Sequence, residues 1–197
     1  MDYVSGFGLG ISLILAIGSQ NAFVLKQGLK KQHVFAICLF CAVSDAILIS
    51  AGVAGFGAVT AKYPSIVTIA KGAGALFLVV YALQSFYASF TKSHALNAES
   101  QVPSSLKKSL LLCFGFTWLN PHVYLDTLVL VGMVSTGASS KLLFATGAVS
   151  ASFIFFFGLG YGARLLGPLF ANPKAWNILD ALVGVLMLYL AWHLLLG

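Results

Sequence analysis

Six stretches of roughly twenty apolar residues follow one another along this chain, and only short polar connectors separate them. They cover Tyr3–Leu25, Val34–Val59, Ile66–Phe90, Ser109–Val134, Leu142–Tyr161 and Trp176–Leu196. At a rise of ~1.5 Å per residue, each can cross the hydrocarbon core of a bilayer. Of 197 residues, 59% are hydrophobic and 8% charged, against about a quarter charged in a water-soluble domain. The spans use nearly the whole chain, leaving no room for a separate soluble domain. The expected fold is an all-α integral membrane protein with six transmembrane helices. The first span is not expected to be a cleavable leader, because Asp2 replaces a basic segment and the apolar run is too long.

A net charge of +6 would suggest nucleic acid as the partner of a soluble protein. Here the cations sit between apolar spans, where the positive-inside rule explains them without any nucleic acid. Connectors one, three and five hold Lys26, Lys30, Lys31, Lys92, Lys107, Lys108, Arg164 and Lys174. Only Lys62, Lys71 and Lys141 fall on the other side, eight cations against three. The odd connectors are therefore expected in the cytoplasm, with both termini outside. A re-entrant first span, suggested by the polar Gly18-Ser19-Gln20-Asn21, would instead leave the N-terminus inside.

The long polar connector over residues 91–108 divides the chain into residues 1–90 and 109–197, three spans each. The halves resemble each other. Ala42-Val43-Ser44-Asp45-Ala46-Ile47 in span two is followed by Gly52, Gly55 and Gly57; Ala148-Val149-Ser150-Ala151-Ser152-Phe153 in span five is followed by Gly158, Gly160 and Gly162. Polar breaks stand at Gln20-Asn21 in span one and Asn120-Pro121 in span four, and Tyr81 and Tyr189 occupy similar places in spans three and six. With three spans per half, the second half must be inverted. Two inverted three-helix repeats with broken helices 1 and 4 are a pattern of alternating-access transporters, whose substrate sites lie where the broken helices meet. The glycine runs allow close helix packing, either within one chain or in a homodimer.

Three of the five acidic residues fall inside spans: Asp45, Asp126 and Asp180. A carboxylate at the centre of a membrane helix costs about 2.5–3.5 kcal/mol on insertion scales, which makes each a functional candidate. Reckoned by residue rise, Asp45 and Lys71 differ in depth by only about 5 Å. They read either as a structural ion pair or as a site in which Asp45, as a proton carrier or a substrate counter-ion, alternates with Lys71 during the cycle. Asp126 follows Asn120-Pro121, where proline removes a backbone donor and should break the helix. The freed amides and carbonyls suit the carboxylate and ammonium of an amino acid. His122 is a proton-relay candidate or a packing residue. Asp180, near the start of span six, reads as serving the membrane interface or the helix N-terminus.

Cys38-Leu39-Phe40-Cys41 and Cys113 lie within apolar helices, where cysteine commonly acts as a small hydrophobe. A thiol-redox conduit through these three is the reading from another functional class. No Cys/His set completes a zinc site, no cofactor is called for, and no catalytic constellation marks an enzyme.

Two longer motifs carry a resemblance. Ile17-Gly18-Ser19-Gln20-Asn21-Ala22-Phe23-Val24-Leu25-Lys26-Gln27-Gly28 is similar to the first-helix signature of the LysE-type basic amino acid exporters. Thr117-Trp118-Leu119-Asn120-Pro121-His122-Val123-Tyr124-Leu125-Asp126-Thr127 resembles the second signature of the lysine/arginine branch, and Ser44-Asp45 matches as well. Many members of that family have proline where this chain has Ser19. The resemblance implies export of L-lysine or L-arginine across the bacterial inner membrane by a multi-pass protein. Combined with the helix breaks, it points to Gln20, Asn21, Asn120 and Pro121 holding the substrate backbone and Asp126 facing its cationic side chain. Relatives in the branch export neutral amino acids or cations, so a neutral amino acid or a divalent cation is the alternative cargo.

Overall fold

A computed structural model describes residues 1–15, 18–56, 64–91, 105–120 and 123–196. Regular structure among these residues is entirely helical. Helix α1 (Asp2–Ile14) and helix α2 (Ser19–Lys30) are short and meet at 82°. Helix α3 (Val34–Ala51) runs into a π-helical turn, Gly52–Phe56, where Gly55 has a φ of 95° that a residue with a side chain rarely adopts. Helix α4 is Pro64–Thr91. Helix α5 (Leu106–Trp118) is followed by a π-helical segment, Tyr124–Leu130, and the short α6, Val131–Ser135. Helix α7 (Lys141–Gly162) leads through two 3-10 turns to α8, Pro173–Leu196. Pro173 suits the first position of α8, where its missing N–H would have no partner anyway, and the side-chain oxygen of Asn172 accepts from the Lys174 amide at 2.9 Å.

Four helical stretches are long and apolar enough to cross a membrane: Val34–Gly55, Lys71–Phe90, Lys141–Leu166 and Pro173–Leu196. The bent pair of α1 and α2 makes a fifth. The expected fourth span is in pieces, and the 13 residues of α5 reach only about 20 Å. A count of six thus requires both broken helices to be crossings. Both breaks fall near the anticipated polar residues, one just ahead of Gln20-Asn21 and one at Leu119-Asn120. Pro121, His122, Lys62 and most of the third connector, residues 92–104, lie outside the described residues.

The helices are patterned for lipid. On α3, Phe35, Leu39, Val43 and Ile47 are exposed at four-residue intervals, while Ile37, Cys38, Cys41, Ser44 and Asp45 are buried. On α8 the exposed row is Ile178, Leu182, Val185, Tyr189, Trp192 and Leu196, alternating in steps of four and three. Apolar stripes of this size have no place in water, whereas hydrocarbon accepts them without cost.

Since lipid is as apolar as leucine, close packing rather than the hydrophobic effect must hold such helices together. The two most extensive seams join α4 to α8 and α1 to α7, each uniting a helix of the first half with one of the second. Small residues make the second seam possible: Gly6 lies against the Phe144 backbone, Gly10 against Ala148 and Ala151, and Gly147 against Tyr3 and Phe7. The backbones of the two π-helical segments also touch. A Cβ added at Gly52 would fall 2.7 Å from the Leu128 carbonyl oxygen. In the interior, Phe116 gathers three rings, Phe23, Phe77 and Tyr81, at centroid distances of 5.2, 4.9 and 4.8 Å.

Candidate functional site

The bend between α1 and α2 turns the first residues of α2 into the protein interior. Ser19 is fully buried and Gln20 nearly so, although both are polar. Neither the Ser19 hydroxyl nor the Gln20 amide nitrogen has a hydrogen-bond partner among the described residues. Gly18, extended at φ −110° and ψ 177°, supplies no capping side chain. The first amides of α2 therefore end inside the protein, carrying the partial positive charge of a helix N-terminus. Asn21 bridges the break. Its side-chain N–H donates to the Ile14 carbonyl at 2.7 Å, satisfying a C-terminal group of α1 across the break.

Gln20 faces the Cys41 thiol, and the Asp45 carboxylate lies within electrostatic range of that same thiol. Cys41 Sγ is 3.2 Å from Cys113 Sγ, joining α3 to α5. Cys38 donates to the Phe156 carbonyl at 3.1 Å. Asp45 is 4% exposed and accepts from the Ser152 hydroxyl at 2.9 Å, so a neutral group on α7 answers it. One residue before it, Ser44 accepts from the Trp118 indole at 3.3 Å, at the end of α5. The structure thus gathers Gln20, Cys41, Cys113, Ser44, Asp45 and Ser152 from four helices. No cluster of three or more His, Cys, Asp or Glu side chains suited to a metal ion occurs among the described residues.

Other expected residues are arranged differently. Lys71 begins the apolar stretch of α4, half-buried, and forms no ion pair with Asp45. Similar depth did not bring them together, because α4 packs chiefly on α8 and α3 on α7. Asn120 is half-buried at the end of α5, and Asp126 half-buried in the π-helical segment. That break is stitched by Tyr124, whose hydroxyl donates to the Trp118 carbonyl at 2.6 Å. Pro121 lies outside the described residues.

A second polar centre was not anticipated. Lys26 Nζ is 2.5 Å from Asp180 Oδ1, and the two side chains are 11% and 2% exposed. Lys26 also lies 5.9 Å from the centroid of the Tyr81 ring. One turn further along α2, Lys30 sits 5.9 Å from the centroid of the Trp176 ring. Asp180 does not serve the interface or the helix N-terminus, since it is buried and ion-paired. The 82° bend carries Lys26 inward, where a straight first span would have put it in a connector. An available signal was that a carboxylate in an apolar span demands a cation or strong donors. Phe23 stands between Gln20 and Lys26 on α2, packed on Tyr81 and Phe116, and separates the two centres.

A family model described as LysE type translocator matches residues 11–197. The chain belongs to this family. It is a multi-pass protein of the bacterial inner membrane, consistent with its apolar helices. Among curated relatives, a Mycobacterium tuberculosis (strain ATCC 25618 / H37Rv) protein provisionally named an amino-acid transporter is 43% identical over 92% of this chain and 90% of its own length. The arginine exporter protein ArgO of Salmonella enteritidis PT4 is 39% identical over 98% of this chain and 92% of its own. ArgO of Klebsiella pneumoniae is 38% identical over the same shares. No solved structure matches. The translocator match takes in both helix breaks and both polar centres.

Proposed function

We propose that this translocator exports basic L-amino acids, arginine and lysine, from the cytoplasm. The observation that carries this reading is the 39% identity to an arginine exporter over nearly the whole chain. The interior start of α2 supports it, because uncapped amides beside the Ser19 hydroxyl and the Gln20 amide nitrogen, both without a hydrogen-bond partner among the described residues, suit a substrate carboxylate. In this reading, Gln20, Asn120 and Pro121 line the site with Asn21, which also braces the α1–α2 break. Asp126 faces the cationic side chain. The helix seams favour two inverted three-helix repeats and six crossings: α1 and α2 on α7, α3 on α5, and α4 on α8 all join one half to the other. The excess of lysine and arginine in connectors one, three and five orients those connectors to the cytoplasm.

Export of a cation against an inside-negative potential costs about 2.3 kcal/mol per charge per 100 mV, so the cycle needs a driving ion. We assign Asp45 as the group that admits a proton, with Lys71 as its partner elsewhere in the cycle. The test uses cells lacking their own basic amino acid exporters, loaded with arginine- or lysine-containing dipeptides. Efflux that depends on this protein and is lost in Asp126→Asn supports the reading. Normal arginine efflux from Asp126→Asn removes Asp126 as counter-ion. Wild-type rate and pH dependence in Asp45→Asn would remove Asp45 from coupling. The mycobacterial relatives are named for amino-acid transport without a particular amino acid, which leaves neutral amino acids as the second reading. That reading takes over if a properly inserted protein exports neither arginine nor lysine.

A further inference from the structure

We propose that Asp180 and the face of Tyr81 form an entry site for the substrate's basic side chain, which Lys26 fills in this conformation as an internal stand-in. The inference rests on the basic amino acid reading above. A carboxylate beside an aromatic face is the chemistry that recognises an ammonium or guanidinium group. Here that pair already holds a lysine, at 2.5 Å from the carboxylate oxygen and 5.9 Å from the ring centroid. A lysine or arginine substrate carries the same charge on a similarly long, flexible stem. Two further buried acceptors lie on the same helices. Gln27 Oε1, next to Lys26, and Asn177 Oδ1, one turn before Asp180, are buried without a hydrogen-bond partner among the described residues. A guanidinium group offers five N–H donors to such acceptors.

The site's place in the fold gives it a role. Connectors one and five flank it, so it faces the cytoplasmic side from which substrate is collected. Beyond it, Phe23, Tyr81 and Phe116 close the way towards Gln20 and Asp45. Lys26 and Gln20 both ride on α2, so a displacement of α2 that withdraws Lys26 also moves the helix start that receives the substrate carboxylate. The stand-in also serves the empty carrier. A bare Asp180 would be an uncompensated charge in the membrane interior, whereas Lys26 neutralises it when the site is empty and the substrate's cation does so once Lys26 is displaced. Substrate must compete with Lys26 for Asp180, which lowers its apparent affinity.

The experiment measures uptake of labelled L-arginine and of L-citrulline, its neutral near-isostere, into inside-out vesicles containing the full-length protein. In Asp180→Asn, the KM for arginine should rise at least about tenfold while that for citrulline stays level, because only arginine loses a charge-assisted contact. Lys26→Gln should lower the arginine KM severalfold and slow net transport, while arginine–arginine exchange persists. For purified Lys26→Gln, arginine should raise the thermal midpoint more than it does for wild type, and citrulline should not. If both variants change the two substrates in parallel, leaving the arginine-to-citrulline ratio at its wild-type value, the pair is structural and the inference falls. If Asp180→Asn does not accumulate in the membrane, Lys26→Gln decides by the same ratio and the same thermal readout. Absence of arginine uptake by wild type overturns the basic amino acid reading itself, and this inference with it.

Discussion

The protein buries two carboxylates almost equally, Asp45 at 4% exposure and Asp180 at 2%, yet answers them in opposite ways. Asp180 meets a full positive charge on Lys26. Asp45 meets, among the described residues, the neutral hydroxyl of Ser152. A fixed ion pair is strong but inert to proton traffic, since both partners gain from remaining charged. A carboxylate held by one neutral donor pays more for its charge, and a proton can relieve it. The contrast assigns different work to the two acids: Asp45 is suited to exchanging a proton, and Asp180 to exchanging one cation for another.

The sharpest way to break this comparison is to disrupt each acid's pairing in turn. Asp180→Leu leaves Lys26 buried without a counter-charge and should cost about 3–5 kcal/mol, read as a large fall in the thermal midpoint of the detergent-purified protein. The double variant Lys26→Leu/Asp180→Leu should recover most of that loss, because an apolar pair replaces an ionic one at little net cost. A single variant as stable as wild type would mean that no buried ion pair forms.

Ser152→Ala tests the other acid and should cost less. The lost hydrogen bond is worth about 1.5–3 kcal/mol while Asp45 is charged, and about 0.5–1.5 kcal/mol once it is neutral. The penalty relative to wild type should therefore be larger at high pH than at low pH, measured as the difference in thermal midpoint across a pH series. A penalty that does not vary with pH would mean Asp45 keeps one protonation state, and the contrast with Asp180 would lose its meaning.

These two centres also mark how far the sequence could be read. The helices and both breaks were legible, because apolar runs, Asn120-Pro121 and the polar Gly18-Ser19-Gln20-Asn21 act locally. In the cluster around Gln20 and Asp45 those two residues were legible as candidates, but their contacts were not. Ser152 is 107 positions from Asp45, and nothing local tells which face of α7 meets α3. The Lys26–Asp180 pair was hidden by the bend: counting residues along a straight helix leaves Lys26 in a connector, whereas an 82° turn directs it inward. The same reckoning overestimated Lys71. Depth in a membrane is one coordinate of three, and rotation about each helix decides who meets whom.

A smaller effect is expected at the three buried thiols. Replacing Cys38, Cys41 and Cys113 by alanine removes the 3.2 Å Cys41–Cys113 contact but only a little volume at each site. Each change should cost less than about 1.5 kcal/mol. Efflux of arginine at the wild-type rate from the cysteine-free protein separates amino acid transport from a thiol-redox conduit, which would lose all activity.

The smallest change in stability should come from Lys71→Gln. Were Lys71 the resident partner of Asp45, losing it would strand a buried carboxylate and cost several kcal/mol. Asp45 instead takes its hydrogen bond from Ser152, and Lys71 is half-buried at the start of the apolar stretch of α4. The thermal midpoint of Lys71→Gln should therefore correspond to a change within about 0.5 kcal/mol, the range of an ordinary surface substitution. Transport asks a separate question of the same variant. A lysine that meets Asp45 only in another stage of the cycle contributes nothing to the stability of this one, yet its loss would slow turnover. Unchanged stability with slowed, less pH-sensitive efflux is the expected pair of results. A large loss of stability would mean that Lys71 and Asp45 are joined at rest, so that both buried acids are held by lysines and the distinction between them disappears.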